Sequence, residues 1–155
     1  MNQWPQDYSG AWTLEGESAR TGVGLHSGAS STVHLRGSEQ AGFHIRFDGS
    51  PELIRLVPDQ VRDSPLCTTL NLGEQQVATV EHLLAALAGC GLTHVEIGLS
   101  GHEVPLLDGS SRGWVEAIAE AGLTSAATPK PEAPVLDGPM VLHRGSSVIT
   151  ATPAD

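Results

Sequence analysis

The stretch Ala78-Thr79-Val80-Glu81-His82-Leu83-Leu84-Ala85-Ala86-Leu87-Ala88-Gly89 commits this part of the chain to a short amphipathic helix. Val80, Leu83, Leu84 and Leu87 recur at i, i+3, i+4 and i+7 and draw one apolar stripe. Thr79 stands where an N-cap hydroxyl is wanted, and Gly89 where a left-handed C-terminal residue is wanted. Such a helix needs neither Glu81 nor His82 to fold. Consecutive helical residues diverge by about 100°, so these two do not face each other. A metal ion in front of the helix start would let both serve one centre, His82 as ligand and Glu81 as base to a water. The plain alternative is that Glu81 complements the helix dipole and His82 is a polar shoulder.

A chain of 155 residues suffices for one domain with a core. Its formal net charge of −10 argues against a nucleic-acid partner, which calls for a basic face. Cys67 and Cys90 form no CxxC pair, which points to a reduced, cytosolic compartment. The segment Met1 to Asp7 has neither a basic nor an apolar region, so no signal peptide is expected. No run approaches the ~18 apolar residues of a membrane-spanning helix.

Residues 1–10 read as a loose polar leader and Ala11 to Glu17 as a first strand. Val33 and Leu35 alternate with Thr32, His34 and Arg36, and Phe43, Ile45 and Phe47 alternate with His44 and Arg46. These runs read as two strands joined into a hairpin by Gly37 to Gly42. Leu66 to Asn71 reads as a short strand, and Val95, Ile97 and Leu99 alternate with His94, Glu96 and Gly98 as another. Asp108 or Ser110 can cap a second helix with Trp114, Val115, Ile118 and Ala121 on its apolar face and Gly122 as its stop. The pattern predicts an α+β fold: two layers, a mainly antiparallel sheet with helices packed on one face.

Thr124 to Pro134 is rich in Ala, Thr and Pro and reads as a linker. Beyond it lie two strand-like runs, Met140-Val141-Leu142 and Val148-Ile149-Thr150. The turn Leu142-His143-Arg144-Gly145-Ser146-Ser147-Val148 echoes the chemistry of Leu25 to Val33, either by chance or as the start of an internal repeat.

Seven histidines invite a metal reading. No H-E-x-x-H is present, so the His82 helix lacks a second ligand at i+4. His34, His44 and His94 lie opposite the apolar strand positions and read as solvent-facing. His102 and His143 read as surface residues. His26 sits in a glycine-rich turn where a backbone can approach a ligand closely. Cys67 has no identifiable base and does not read as a nucleophile, and Asp108 reads as a cap.

Four motifs then fall in order: Thr21-Gly22-Val23-Gly24-Leu25-His26-Ser27-Gly28, Val61-Arg62-Asp63-Ser64-Pro65-Leu66-Cys67-Thr68, Thr79-Val80-Glu81-His82-Leu83 and Glu103-Val104-Pro105-Leu106-Leu107-Asp108-Gly109-Ser110. With them the chain resembles the first domain of the UDP-3-O-acyl-N-acetylglucosamine deacetylase family, the zinc enzymes of lipid A biosynthesis. The resemblance is good over residues 12 to 124 and weak beyond. It implies a first domain at 1–124, a linker at 125–134 and an incomplete start of a second, similar domain at 135–155, in a truncated chain.

The resemblance also implies roles. His82 matches a Zn²⁺ ligand and Glu81 the general base toward water. Leu66 and Cys67 match a segment lining the mouth of the site, and His26 a substrate contact. The implied substrate is an acylated UDP-N-acetylglucosamine whose acetamide is hydrolysed. The family's other zinc ligands, a His and an Asp on one helix, lie in its second domain with a Lys and a general-acid His. The zinc site in this chain is therefore expected to be incomplete, and a separate chain carrying the missing domain is an implied partner. Ala85, Ala86 and Ala88 are the expected docking patch for that half. A bacterial cytoplasmic location, at most peripheral to the inner membrane, follows from the same resemblance. The alternative reading is a non-enzymatic binding or interaction module that keeps the fold without the chemistry.

Overall fold

Local pattern and long-range pairing together build a mixed sheet around one central strand. The computed structural model describes residues 4, 5 and 7–154. In chain order the elements are β1 (Trp12–Leu14), β2 (Glu17–Val23), β3 (Ser30–Gly37), β4 (Gly42–Phe47), β5 (Ile54–Arg55), β6 (Val61–Arg62), β7 (Thr69–Leu72), β8 (Gln75–Val77), α1 (Glu81–Gly89), β9 (His94–Leu99), α2 (Arg112–Ala121), β10 (Leu123–Ser125), β11 (Met140–Arg144) and β12 (Ser147–Ala151). Part of the expected polar leader, residues 1–3 and 6, lies outside the described residues. Its described part is tied down: Trp4 packs on the core, and the Trp12 indole N–H donates to the Asp7 carbonyl at 2.9 Å.

The alternating pattern of β3 is borne out, but those of β4 and β9 are not, and neither is the hairpin. β3 and β4 do not pair; β9 lies between them, antiparallel to β3 and parallel to β4. Val33, Leu35, Ile45, Val95, Ile97 and Leu99 are each almost wholly buried, so the strands are joined through a shared apolar face, not through their connecting turn. The expected first strand is split, with β1 pairing with β10 and β2 forming a hairpin with β3. The strand expected at Leu66 to Asn71 starts later, as β7, in a small antiparallel sheet with β6 and β8.

α2 lies on β2 and β3, and α1 lies against α2. Leu83 and Leu87 of α1 and Trp114, Ala117 and Ile118 of α2 join the strand residues in one apolar cluster. The fold is α+β as expected, with a sheet that is mixed because β4 and β1 run parallel to β9.

Three further expectations are corrected. Gly89 ends α1 in helical conformation, and the left-handed role falls to Gly91, with φ at +80°. Here the Leu92 N–H reaches back to the Leu87 carbonyl. Gly122 does stop α2 as expected, with φ at +73°. His44 and His94 are buried, not solvent-facing, because both faces of β9 and β4 are covered. His94 is held by the Thr93 and Thr128 hydroxyls at 2.8 and 2.9 Å, and burial lowers its pKa below the ordinary histidine value.

The segment read as a linker begins bonded to the sheet. Ala126 donates to Ala11, and the Thr128 hydroxyl donates to the Glu39 carbonyl at 2.8 Å. Beyond it β11 and β12 form an antiparallel hairpin turning at Gly145, whose φ is +60°. The similar turn chemistry noted near His26 also lies in a hairpin, between β2 and β3, with Gly28 at φ +66°.

Candidate active site

The helix start that carries Glu81 and His82 is built differently from its sequence pattern. Thr79 does not cap α1. Its φ is +60°, an uncommon conformation for a β-branched residue. Val80 takes the cap position without any side-chain hydrogen bond to the first turn. The Thr79 hydroxyl instead donates to Glu103 Oε1 at 2.9 Å. A left-handed residue of this kind costs on the order of 1–3 kcal/mol and persists where surrounding structure holds it.

Glu81 and His82 are both half-buried, so neither is sunk into the core. The Glu81 carboxylate accepts the Thr68 backbone N–H at Oε2, 2.9 Å, which leaves Oε1 without a protein partner among the described residues. That bond brings the segment 66–68 against the helix start. Leu66 projects into solvent at 76% exposure, and Cys67 is half-buried. The Cys67 thiol lies 3.5 Å from Ser64 Oγ and 3.6 Å from Thr69 Oγ1. These hydroxyls, Ser64 first, hold its pKa below the ordinary thiol value.

His82 buries Nδ1 without a partner, while its carbonyl accepts the Ser111 hydroxyl at 3.0 Å from the start of α2. One imidazole does not make a metal centre. Catalytic zinc takes three protein ligands, and among the described residues no three His, Cys, Asp or Glu side chains converge. The residues present therefore do not fit a zinc ion by themselves.

His26 is exposed, yet its loop is fastened. Its backbone N–H donates to Glu103 Oε1 at 2.9 Å, and the Ser27 N–H donates to Oε2 at 2.8 Å. A cleft of about 610 Å³ is lined by His26, Ser27, Ser100, His102 and Glu103, and not by Glu81 or His82. The fold thus joins His26 to the helix start through Glu103 and Thr79, not through a shared cavity.

Glu103 is the residue that sequence reasoning passed over. It is 5% exposed. Burial pushes its pKa up, but the Ser27 hydroxyl, the His26 and Ser27 N–H groups and the Thr79 hydroxyl outweigh this and bring it down to about 2. One signal was present. A Cβ on Gly24 would overlap Glu103 Oε2 and come within 2.6 Å of Ser27 Oγ, so the glycine in this motif makes room for a carboxylate. Asp108 behaves as expected of a turn residue. It accepts from the Ser110 N–H and hydroxyl, and Ser110 Oγ in turn accepts the Arg112 N–H at the start of α2.

The α+β domain thus carries a tethered carboxylate and an imidazole at consecutive positions of one helix start. Known proteins make the class specific. Residues 11–155 match the family model described as LpxC: UDP-3-O-acyl N-acetylglycosamine deacetylase. A UDP-3-O-acyl-N-acetylglucosamine deacetylase of Trichormus variabilis is 42% identical over 150 residues, covering 92% of this chain and 52% of the relative. The enzyme of the same name from Thermosynechococcus vestitus is 37% identical over 146 residues, covering 92% and 50%. That from Geobacter sp. is 41% identical over 115 residues, covering 72% and 37%. The chain belongs to this deacetylase family, and it spans about half the length of the curated relatives it matches.

Proposed function

We propose that this chain supplies the general-base half of a UDP-3-O-acyl-N-acetylglucosamine deacetylase. The observation that carries the reading is the Glu81 carboxylate, fixed at Oε2 by Thr68 and open at Oε1 beside His82. Water adds to the acetamide carbonyl carbon, and the open Glu81 oxygen takes its proton. The carbon–nitrogen bond then breaks as the nitrogen takes up the proton that Glu81 received, giving acetate and the free sugar amine. A positioned base of this kind contributes about 10²–10⁴-fold.

His82 contributes one ligand to a zinc centre completed by residues outside these 155, on the same polypeptide or on a separate chain. When bound, zinc would polarise the amide carbonyl and acidify the attacking water. Leu66 and Cys67 lie beside Thr68 and line the approach to Glu81, and the fastened His26 loop presents an imidazole to the substrate. The free thiols of Cys67 and Cys90 support a reducing, cytoplasmic setting. Among the described residues no helix is long and apolar enough to cross a membrane.

The test is complementation. Titrated alone, the chain should show no stoichiometric zinc site tighter than micromolar and no deacetylation. Mixed with, or fused to, the second half of the Trichormus variabilis relative, it should turn over. There Glu81→Gln should lower kcat at least a hundredfold with KM little changed. A tight zinc site with turnover by the chain alone would overturn the shared centre, and full activity of E81Q would overturn the base.

A further inference from the structure

We infer that Glu103 is a positioning residue of this site: its carboxylate joins the His26 loop to Thr79 and so fixes the start of α1 that carries Glu81 and His82. The inference rests on the proposed role of Glu81, but its geometry stands independently. Donors from two distant segments converge on one carboxylate: the His26 N–H, the Ser27 N–H and hydroxyl, and the Thr79 hydroxyl. All are donors, which suits an acceptor-only group, and ionised Glu is one.

The neighbouring backbone locks the same junction. Ala78 donates to the His102 carbonyl, and Val104 donates to the Ala78 carbonyl, so residues 102–104 run beside residues 78–80. The left-handed Thr79 is the last residue before Val80 and the helix. Its hydroxyl donates to Glu103. On the far side of the same turn, the Val80 N–H faces the Thr68 carbonyl at 3.4 Å while the Thr68 N–H holds Glu81. A disturbance at Glu103 therefore reaches Glu81 through two backbone steps. Gly24 serves the same device from the other side, because any side chain there would displace the carboxylate.

Amide hydrogen exchange on the full 155-residue chain tests this. Glu103→Gln keeps the shape but sets an amide NH₂ against a donor. Gly24→Ala keeps the carboxylate but pushes it away, at a residue outside the left-handed region. Thr79→Val removes only the hydroxyl, and Thr79→Ser restores it. Glu96→Gln is the control: it loses a carboxylate held instead by Arg46 at 2.9 Å, on β9.

The expected result is that E103Q, G24A and T79V each lower protection of the Thr68 amide at least tenfold beyond E96Q, while T79S keeps it within threefold of the parent. In E103Q and G24A the His26 and Ser27 amides should fall in parallel. If Thr68 protection in E103Q and G24A matches the control while His26 and Ser27 loosen, Glu103 serves only its loop and the inference fails. Exchange needs no turnover, so that failure leaves the base assignment untouched. An active E81Q would sink the base assignment and leave this result standing.

Discussion

A buried carboxylate that stays ionised ties the folded state to pH. Glu103 falls from an ordinary value of 4.5 to about 2 in the folded chain. Because the folded value is the lower one, the stabilisation is fully present above about pH 4.5 and is lost as pH falls through about 2. A shift of this size corresponds to roughly 3 kcal/mol at neutral pH. Urea unfolding at pH 7, 4 and 2.5 should show the parent's advantage over E103Q shrinking steadily across that window. An advantage that is equal at pH 7 and 2.5 would mean the carboxylate contributes no charge-dependent stability. The sequence displayed Glu103 within a motif but not its role, since donors from residues 26, 27 and 79 meet only through tertiary structure. Glu81 and His82, by contrast, stood out as candidates because a helix with a complete leucine stripe does not need them to fold. Thr79 was misread for the converse reason: its local capping chemistry lost to a non-local acceptor.

At the level of elements, periodicity identified most strands and both helices but not their partners. β4 buries His44 as well as Ile45 and Phe47, while the alternation in β3 is real. Their short glycine-rich connection suggested a hairpin, yet β9, more than fifty residues downstream in sequence, inserts between them. Pairing depends on which apolar faces must be buried together, and that is a property of the whole sheet. The same gap explains His94. A period-2 reading assumes one wet face, whereas residues 126–128 cover that face and Thr128 satisfies the imidazole Nε2. Thr128→Ala should leave a buried ring nitrogen without a partner and cost about 1–3 kcal/mol. It should also release the start of the 126–134 segment, so urea unfolding and limited proteolysis together check the point. Unchanged stability with unchanged cleavage between residues 126 and 134 would show that the latch carries no weight.

On the scale of the whole molecule, apolar surface is left uncovered only partly where the sequence suggested. Ala86 is buried at 3% exposure and cannot dock a second half, whereas Ala85 and Ala88 are exposed. The open surfaces extend beyond that patch. One is a trough of about 360 Å³ lined by Phe43, Leu56, Val57, Val61, Leu84 and Ala88. The other is the hairpin β11–β12, where Val141, Leu142, Val148 and Ile149 are each more than half exposed. A lone two-stranded hairpin is marginal in water, and one with exposed valine, leucine and isoleucine gains from any apolar cover. A second copy of the chain is the cover available in a pure sample. The net charge of −10 opposes that association and is screened by salt. Sedimentation should therefore show self-association that grows with protein concentration and strengthens between about 50 and 500 mM NaCl, with an apolar dye bound at low concentration. Val141→Lys with Ile149→Lys should abolish both without changing the unfolding midpoint by more than a few degrees, since neither side chain packs in the core cluster. A parent chain that stays monomeric at millimolar concentration and high salt, with no dye bound, would mean the hairpin satisfies its own apolar surface, and the reading of this chain as one half of a larger site would lose its structural motive.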